Sequence, residues 1–180
     1  MQLLLLTGIL AALALLVAII WSLVYPDHRI WPPSNSTLAS KVAVWGLTLI
    51  IFGSAFILGI RDWNGLNWPV MRWLVGIPMV VVGNWIVWRG VAEIGLDATS
   101  GDAAGLTTSG LYRYSRNPQY VADMAILAGW FFLSASLWVL PIALLGIALL
   151  AIAPFAEEAW LEKEYGDDYR AYRKTVRRYI

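Results

Sequence analysis

The sequence predicts an all-α integral membrane protein with five transmembrane helices and an amphipathic C-terminal cytoplasmic helix. Hydrophobic residues make up 59% of the 180 residues and charged residues only 14%, whereas a soluble domain carries about 25% charged residues. The apolar residues come in long runs, as membrane-spanning helices require. Most of the eleven tryptophans lie near the ends of these runs, which is typical of the aromatic belts at membrane interfaces.

The runs predict one membrane domain over residues 1–180. Pro26, Pro32 and Pro33 end the first run and stiffen the connection after it, and Pro118 is expected in the first turn of the fourth helix. The polar connection 89–109 is expected to continue the third helix beyond the membrane before becoming a loop. The predicted spans are 3–25, 41–60, 68–88, 118–137 and 139–156.

The tail after residue 156 places apolar and aromatic residues three or four positions apart, which predicts an amphipathic helix. The favoured interpretation is a helix that lies in the headgroup plane as an anchor. Gly166 followed by Asp167 predicts a break and a new N-cap within the tail. The apolar stripe consists of Leu161, Tyr165, Tyr169, Tyr172, Val176 and Tyr179.

Basic residues indicate the orientation. With five spans, all of the 13 lysines and arginines except Arg61 and Arg72 fall on one side, and the positive-inside rule assigns that side to the cytoplasm. We therefore predict a multi-pass protein of a bacterial or archaeal cell membrane, with its N-terminus outside and its C-terminus in the cytoplasm.

Composition also excludes several functions. The net charge of +1 gives no indication of nucleic-acid binding. With no cysteine and with His28 as the single histidine, thiolate ligands and histidine-rich metal sites are excluded. No metal site is predicted.

Two polar clusters flank the hydrophobic hairpin of the fourth and fifth spans. Arg113, Arg116 and Asn117 precede the hairpin, and Glu157 and Glu158 follow it, so its out-and-back path brings both clusters to one membrane face. Carboxylates at a membrane boundary are costly unless they are paired. A structural network of ion pairs therefore explains these residues as well as a binding site does. The surplus of polar side chains favours a site for a ligand with both an ammonium and a carboxylate group. The additional polar side chains are Tyr112, Tyr114 and Tyr120.

The C-terminal half also carries a specific combination of motifs. Together they resemble the isoprenylcysteine carboxyl methyltransferase and phospholipid methyltransferase superfamily over about residues 106–178, whereas the first three spans show only hydrophobicity. The motifs are Gly110-Leu111-Tyr112, Arg116-Asn117-Pro118-Gln119-Tyr120, Glu157-Glu158 with Leu161, and Tyr165-Gly166-Asp167-Asp168-Tyr169 with Tyr172.

This resemblance implies a membrane-embedded methyltransferase that uses S-adenosylmethionine and transfers its methyl group to a lipophilic acceptor. In the superfamily an Arg-His-Pro segment and a Glu-Glu pair bind the cofactor. Asn117 stands where many relatives have histidine. Asparagine does not titrate near neutrality, so we expect no general-base role at this position. A role in positioning the cofactor remains. The implied catalytic residues are Arg116, Glu157 and Glu158. The implied cofactor-binding residues are Gly110, Tyr112, Arg116, Asn117, Pro118, Tyr120, Glu157 and Glu158.

Further polar and aromatic residues have two interpretations each. Asp123, one turn beyond Tyr120, either faces the cofactor and Arg116 or is hydrated at the interface. The connection 28–31 either approaches the lipid acceptor or is only a stiff loop. Asn84 is expected to hydrogen-bond another helix. The candidates for contact with the sulfonium, which are otherwise interfacial aromatics, are Tyr112, Tyr120 and Trp160.

The acceptor and the oligomeric state are not determined by the sequence. An isoprenylcysteine carboxylate, the amine of a phospholipid such as phosphatidylethanolamine, and other prenyl or sterol-like lipids all fit, and acceptor contacts are expected from the first three spans. Methylation of a small thiol or amine is an alternative, and so is a scaffold without catalysis. A transporter is a further alternative, against which stands the absence of inverted repeats.

Overall fold

A computed structural model describes residues 1–33, 37–102 and 105–180, and within these residues all regular structure is helical. Short 3₁₀ turns at Pro26–His28 and Gly110–Arg113 lie in the connections. The third helix contains a π-helical turn at Arg72–Gly76. The helices are α1, Gln2–Val24; α2, Leu38–Arg61; α3, Pro69–Thr99; α4, Pro118–Ser134; and α5, Leu140–Thr175.

Four of these helices, α1, α2, α3 and α5, are long and apolar enough to cross a membrane. The all-α membrane class predicted from composition is therefore confirmed. The fourth helix has 17 residues and is about 25 Å long, against a hydrocarbon core of about 30 Å. The number of five spans stays a prediction.

The helix connections gather at two opposite ends of the bundle. At one end the α2–α3 connection meets the α4–α5 turn. There Asn64 donates a backbone hydrogen bond to the Ser134 carbonyl at 2.8 Å, and the Arg72 guanidinium donates to the Leu133 carbonyl at 2.9 Å. We call this the distal end.

At the other end, the site end, the α1–α2 and α3–α4 connections meet the second half of α5. Lys41 near the start of α2 forms ion pairs with Asp97 at 3.3 Å and Asp102 at 2.7 Å. The exposed Lys163 and Asp27 approach to 3.4 Å. Both predicted polar clusters lie at this end, as expected of an out-and-back hairpin.

The core lies where α1, α2, α4 and α5 meet, around Leu15, Ile51, Leu127 and Ile142. The third helix packs closely on α4 along small residues. A Cβ atom added to Gly76 would lie 2.6 Å from the Leu133 backbone nitrogen, so these two backbones approach more closely than a side chain allows. Close backbone contact of this kind is how transmembrane helices associate without a hydrophobic driving force.

Several helix boundaries differ from prediction for local reasons. The second helix begins three residues earlier than predicted, at Leu38, because Thr37 and Ser40 form a capping box. The fourth helix ends at Ser134 instead of residue 137, because Ala135 adopts a left-handed conformation that terminates helices. The third helix continues past residue 88 to Thr99, as predicted for the start of the polar connection.

The tail continues α5 without a loop, and Gly166 interrupts its helical geometry with φ 54°, which confirms the predicted break. The apolar stripe faces the protein, because Tyr169 and Tyr172 are buried. The stripe therefore covers the site end of the bundle. The prediction for Asn84 was wrong: its side chain is exposed and donates to the Val80 carbonyl of its own helix.

Candidate active site

The site end holds a cavity of about 340 Å³, within the range of small-molecule sites. Its apolar wall comes from α1, α2 and the middle of α5, including Leu15, Leu47 and Leu150. Its polar wall comes from the α3–α4 connection, the start of α4 and the second half of α5. The lining includes five of the predicted site residues, namely Tyr112, Arg116, Asn117, Tyr120 and Glu157.

Two arginines hold Glu158. Arg116 Nη2 lies 2.6 Å from Glu158 Oε1, and the side chains of both residues are almost wholly buried. Arg178, from the C-terminal tail, donates from Nε to Oε1 at 2.8 Å and from Nη2 to Oε2 at 2.7 Å. The Arg178 guanidinium also lies 3.8 Å above the Phe155 ring. Both oxygens of Glu158 are thus engaged, so this carboxylate belongs to the protein's own structure.

The last residues of the tail, 176–180, follow the end of α5 and fold back over the corner formed by Arg116 and Asn117. The Arg116 backbone nitrogen donates to the Arg177 carbonyl at 2.9 Å, and its Nη1 donates to the Val176 carbonyl at 2.7 Å. Asn117 Nδ2 donates to the Arg178 carbonyl at 3.0 Å. Asn117 is therefore a positioning residue for the tail as well as a cavity residue.

Arg113 does not pair with the glutamates as its position suggested. Its guanidinium lies 4.4 Å from the Tyr114 ring centroid and contacts the hydroxyl of that residue at the exposed surface. The second basic partner of Glu158 is instead Arg178, which sequence reasoning missed. No spacing rule links position 178 to position 158, because the contact depends on the tail reversing direction.

Glu157 has an environment unlike that of its neighbour. Its Oε1 accepts a hydrogen bond from Trp31 Nε1 at 2.7 Å and another from the Tyr120 hydroxyl. Across the described part of the chain, no arginine or lysine forms an ion pair with this carboxylate. Glu157 lines the cavity, so its negative charge is available to a ligand.

The start of the polar wall is shaped by Gly110 and Glu93. The Glu93 carboxylate accepts from the Leu111 backbone nitrogen at 2.8 Å and sits where a Cβ atom of Gly110 would lie, at 2.4 Å. Gly110 also has φ 60°, so a side chain is excluded on both grounds. Gly110 lies outside the cavity lining and supports the turn that carries Tyr112.

Tyr112 and Pro118 are fixed by this turn and by the start of α4. The Tyr112 carbonyl accepts from the Tyr172 hydroxyl at 2.5 Å. Burial, reinforced by the negative charge of Glu157, raises the pKa of the Tyr112 phenol, so it remains protonated at neutral pH. Pro118 is buried at the first position of α4, as predicted. Tyr112 thus offers the cavity a neutral hydrogen-bond donor.

Asp123 also lines the cavity, one turn after Tyr120, so an acid at this depth faces a cavity and not lipid. It does not pair with Arg116, whose guanidinium is taken by Glu158 and backbone carbonyls. With Glu157, it provides a second acidic group on the same wall.

Two cavity residues have buried polar atoms without a hydrogen-bond partner among the described residues: Arg116 Nε and the Tyr169 hydroxyl. Buried donors are rarely left unsatisfied in folded proteins, so each is suited to an anionic ligand group. Glu157 is suited to a cationic one. The inventory fits S-adenosylmethionine, which carries an ammonium, a sulfonium and a carboxylate group, and the cavity volume fits a ligand of this size.

The fold and cavity define an integral membrane protein with a cavity at one end of its helices, which has one apolar and one polar wall. The family model for phospholipid methyltransferases matches residues 71–168, more than half of the chain. The chain belongs to this family, and it is a membrane methyltransferase that acts on lipid. No curated protein and no solved structure matched the chain.

The matched segment contains the polar corner from Gly110 to Tyr120 and the pair Glu157 and Glu158. It begins after α2 and ends before Tyr169, so three residues of the site lie outside it. Trp31 precedes the matched segment, and Tyr169 and Arg178 follow it. The periodicity of the tail included Tyr169, whereas the connection that carries Trp31 was expected either to approach the lipid acceptor or to be only a stiff loop.

Proposed function

We propose that the protein transfers the methyl group of S-adenosylmethionine to the amine of a membrane lipid, at the cytoplasmic face. The observation that carries the proposal is one cavity that joins Glu157 to two buried donors, Arg116 Nε and the Tyr169 hydroxyl. Within the described ranges, Glu157 has no basic partner and the two donors have no acceptor. The phospholipid methyltransferase family normally uses this cofactor.

The roles follow from the charges. Glu157 binds the ammonium of the cofactor, and Arg116 Nε with the Tyr169 hydroxyl binds its carboxylate. Tyr112 and Tyr120 contribute neutral hydroxyls and aromatic surface toward the sulfonium. Asn117, Pro118 and Gly110 hold this wall in place, and Glu158 holds Arg116. When bound, the cofactor supplies an electrophilic methyl group on a positively charged sulfur.

Catalysis in this proposal depends on alignment. Direct displacement at a methyl group requires a nucleophile held close and in line, and positioning alone can contribute about 7–11 kcal/mol. The protein contributes a shaped cavity closed by the tail, and a low-dielectric wall that strengthens the charge contacts. Arg116, Glu157 and Glu158 are proposed as the residues on which this geometry depends.

The acids favour an amine over a carboxylate as acceptor. Glu157 and Asp123 both line the cavity, whereas the Lys41 ammonium is held by Asp97 and Asp102. A carboxylate acceptor would be repelled by the Asp123 carboxylate, whereas a protonated amine would be attracted. We propose that Asp123 accepts the proton that the amine must lose. The apolar wall from α1, α2 and α5 suits the hydrocarbon part of the lipid.

The test is calorimetric titration of the detergent-solubilised protein with S-adenosylmethionine. Wild type is expected to bind, Arg116→Ala to lose binding, and Arg113→Ala, a matched surface arginine, to bind as wild type. The protein and labelled methyl donor are then incubated with vesicles of phosphatidylethanolamine or, as a control without a methylatable amine, phosphatidylcholine. The proposal is supported if phosphatidylethanolamine becomes labelled and phosphatidylcholine does not. If wild type binds no S-adenosylmethionine, the proposal is refuted and a scaffold or transporter remains. If neither lipid is labelled but an added small thiol or amine is, the acceptor is a soluble molecule.

A further inference from the structure

The α1–α2 connection contributes Ile30, Trp31 and Pro32 to the cavity lining. Trp31 hydrogen-bonds side chains of the polar wall, and it lies outside the family-matched segment. Its backbone is anchored to α1 by Ser22. The backbone nitrogens of Ile30 and Trp31 both donate to Ser22 Oγ at 2.9 Å, and Ser22 is 2% exposed. The Trp31 side chain lines the cavity. These two hydrogen bonds thus fix the backbone that carries the Trp31 side chain relative to α1.

The indole of Trp31 donates to one particular oxygen of Glu157. Trp31 Nε1 lies 2.7 Å from Glu157 Oε1 and 3.3 Å from the Tyr120 hydroxyl, and the Tyr120 hydroxyl donates to the same Oε1. Both donors therefore converge on a single oxygen. Among the described residues, none donates a hydrogen bond to Glu157 Oε2.

The chemistry of the two donors is as informative as their position. An indole N–H is a donor only, and a protonated phenol is neutral, so neither cancels the charge of Glu157. Glu158, the next residue, is instead bound by the cationic side chains of Arg116 and Arg178. The structure orients Glu157 without neutralising it, and it neutralises Glu158.

We propose that Trp31 is a positioning residue for ligand binding: it holds Glu157 Oε1 so that Oε2, which accepts no hydrogen bond from the described residues, faces the ammonium of the cofactor. The inference rests on the proposed function above. It assigns to the α1–α2 connection a part in binding the methyl donor, S-adenosylmethionine. This part is separate from the contacts with the methyl acceptor that were expected of the first three spans.

The experiment compares Trp31→Phe with Trp21→Phe in the full-length protein. Phenylalanine keeps an aromatic ring in place of the indole but removes its N–H. Trp21 is a matched control, because its Nε1 donates to the His28 carbonyl of the same connection at 3.1 Å without touching Glu157. The measurement is the Kd for S-adenosylmethionine by calorimetry. Trp31→Phe is expected to raise this Kd about tenfold, as loss of a hydrogen bond to a charged group does, and Trp21→Phe to stay within twofold of wild type.

A second ligand separates positioning from a general loss of structure. 5′-Methylthioadenosine has the nucleoside and thioether but no amino acid, so it has no ammonium for Glu157. For Trp31→Phe, the ratio of the Kd for S-adenosylmethionine to that for 5′-methylthioadenosine is expected to rise about tenfold, and a partly unfolded sample leaves this ratio unchanged. An unchanged ratio, or an equal effect in Trp21→Phe, would overturn the inference. Wild type that binds no S-adenosylmethionine would instead overturn the proposed function.

Discussion

At the residue scale, the contrast between Glu157 and Glu158 defines the site. Successive residues of a helix point about 100° apart, so neighbouring acids face different surroundings. Glu158 faces Arg116 and the returning tail, and Glu157 faces the cavity with Trp31 as its donor. The pair that the sequence presents as one motif therefore has two different environments, and we propose a different role for each acid.

The two glutamates are expected to respond differently to the loss of charge. Glu157→Gln keeps an oxygen for Trp31 and Tyr120, so we expect an unchanged thermal midpoint and a Kd for S-adenosylmethionine raised about tenfold or more. Glu158→Gln leaves the buried Arg116 charge uncompensated, so we expect a loss of about 3 kcal/mol in unfolding free energy. Thermal unfolding and calorimetry on both variants check this. Equal effects on stability in the two variants would contradict the division of roles.

At the scale of elements, residues 176–180 of the C-terminal tail hydrogen-bond the residues that precede α4, and we call these contacts the clasp. Val176, Arg177 and Arg178 contribute their backbone carbonyls, and Arg178 also contributes its side chain. The Tyr179 hydroxyl donates to the Ala151 carbonyl at 2.5 Å, about two turns before the acids. The tail thereby joins α4 to α5 at the site end of the bundle.

Adjacent arginines of the tail provide a matched test of this clasp. Arg178→Ala removes a bidentate, partly buried ion pair, and we expect a thermal midpoint several degrees lower and weaker cofactor binding, because Arg116 then has to hold Glu158 alone. Arg177→Ala removes an exposed side chain and keeps the backbone carbonyl that Arg116 uses, so both quantities should match wild type. If the two alanine variants have the same midpoint, the side chain of Arg178 does not stabilise the clasp.

At the scale of the whole molecule, the bundle separates two chemically different ends. At the distal end, the Arg72 guanidinium donates to the Leu133 carbonyl in the last turn of α4 and lies 4.4 Å from the centroid of the Trp63 ring. The site end gathers the cavity, the tail and nearly all basic side chains. This asymmetry supports the proposed orientation, with the site end in the cytoplasm.

Because the chain has no cysteine, single introduced cysteines report its orientation cleanly. Ser109, at the site end, and Asn67, at the distal end, are both exposed. In intact cells, a membrane-impermeant maleimide is expected to label Asn67→Cys and to label Ser109→Cys only after permeabilisation. Labelling of Ser109→Cys alone would invert the proposed orientation, and labelling of both would place the two ends on the same side.

The sequence by itself determined the helices, the hairpin that unites the two polar clusters and the family resemblance. These follow from hydrophobic run length and local motifs, which depend on neighbouring residues only. The tertiary structure decided which acid faces the cavity, that Arg178 and not Arg113 completes the Glu158 pair, and that Trp31 touches Glu157. Those contacts join residues far apart in the chain, and their geometry depends on how the helices pack and where the tail turns back. Asn84 illustrates the same limit, because only the packed structure shows that its side chain is exposed and donates to the Val80 carbonyl of its own helix.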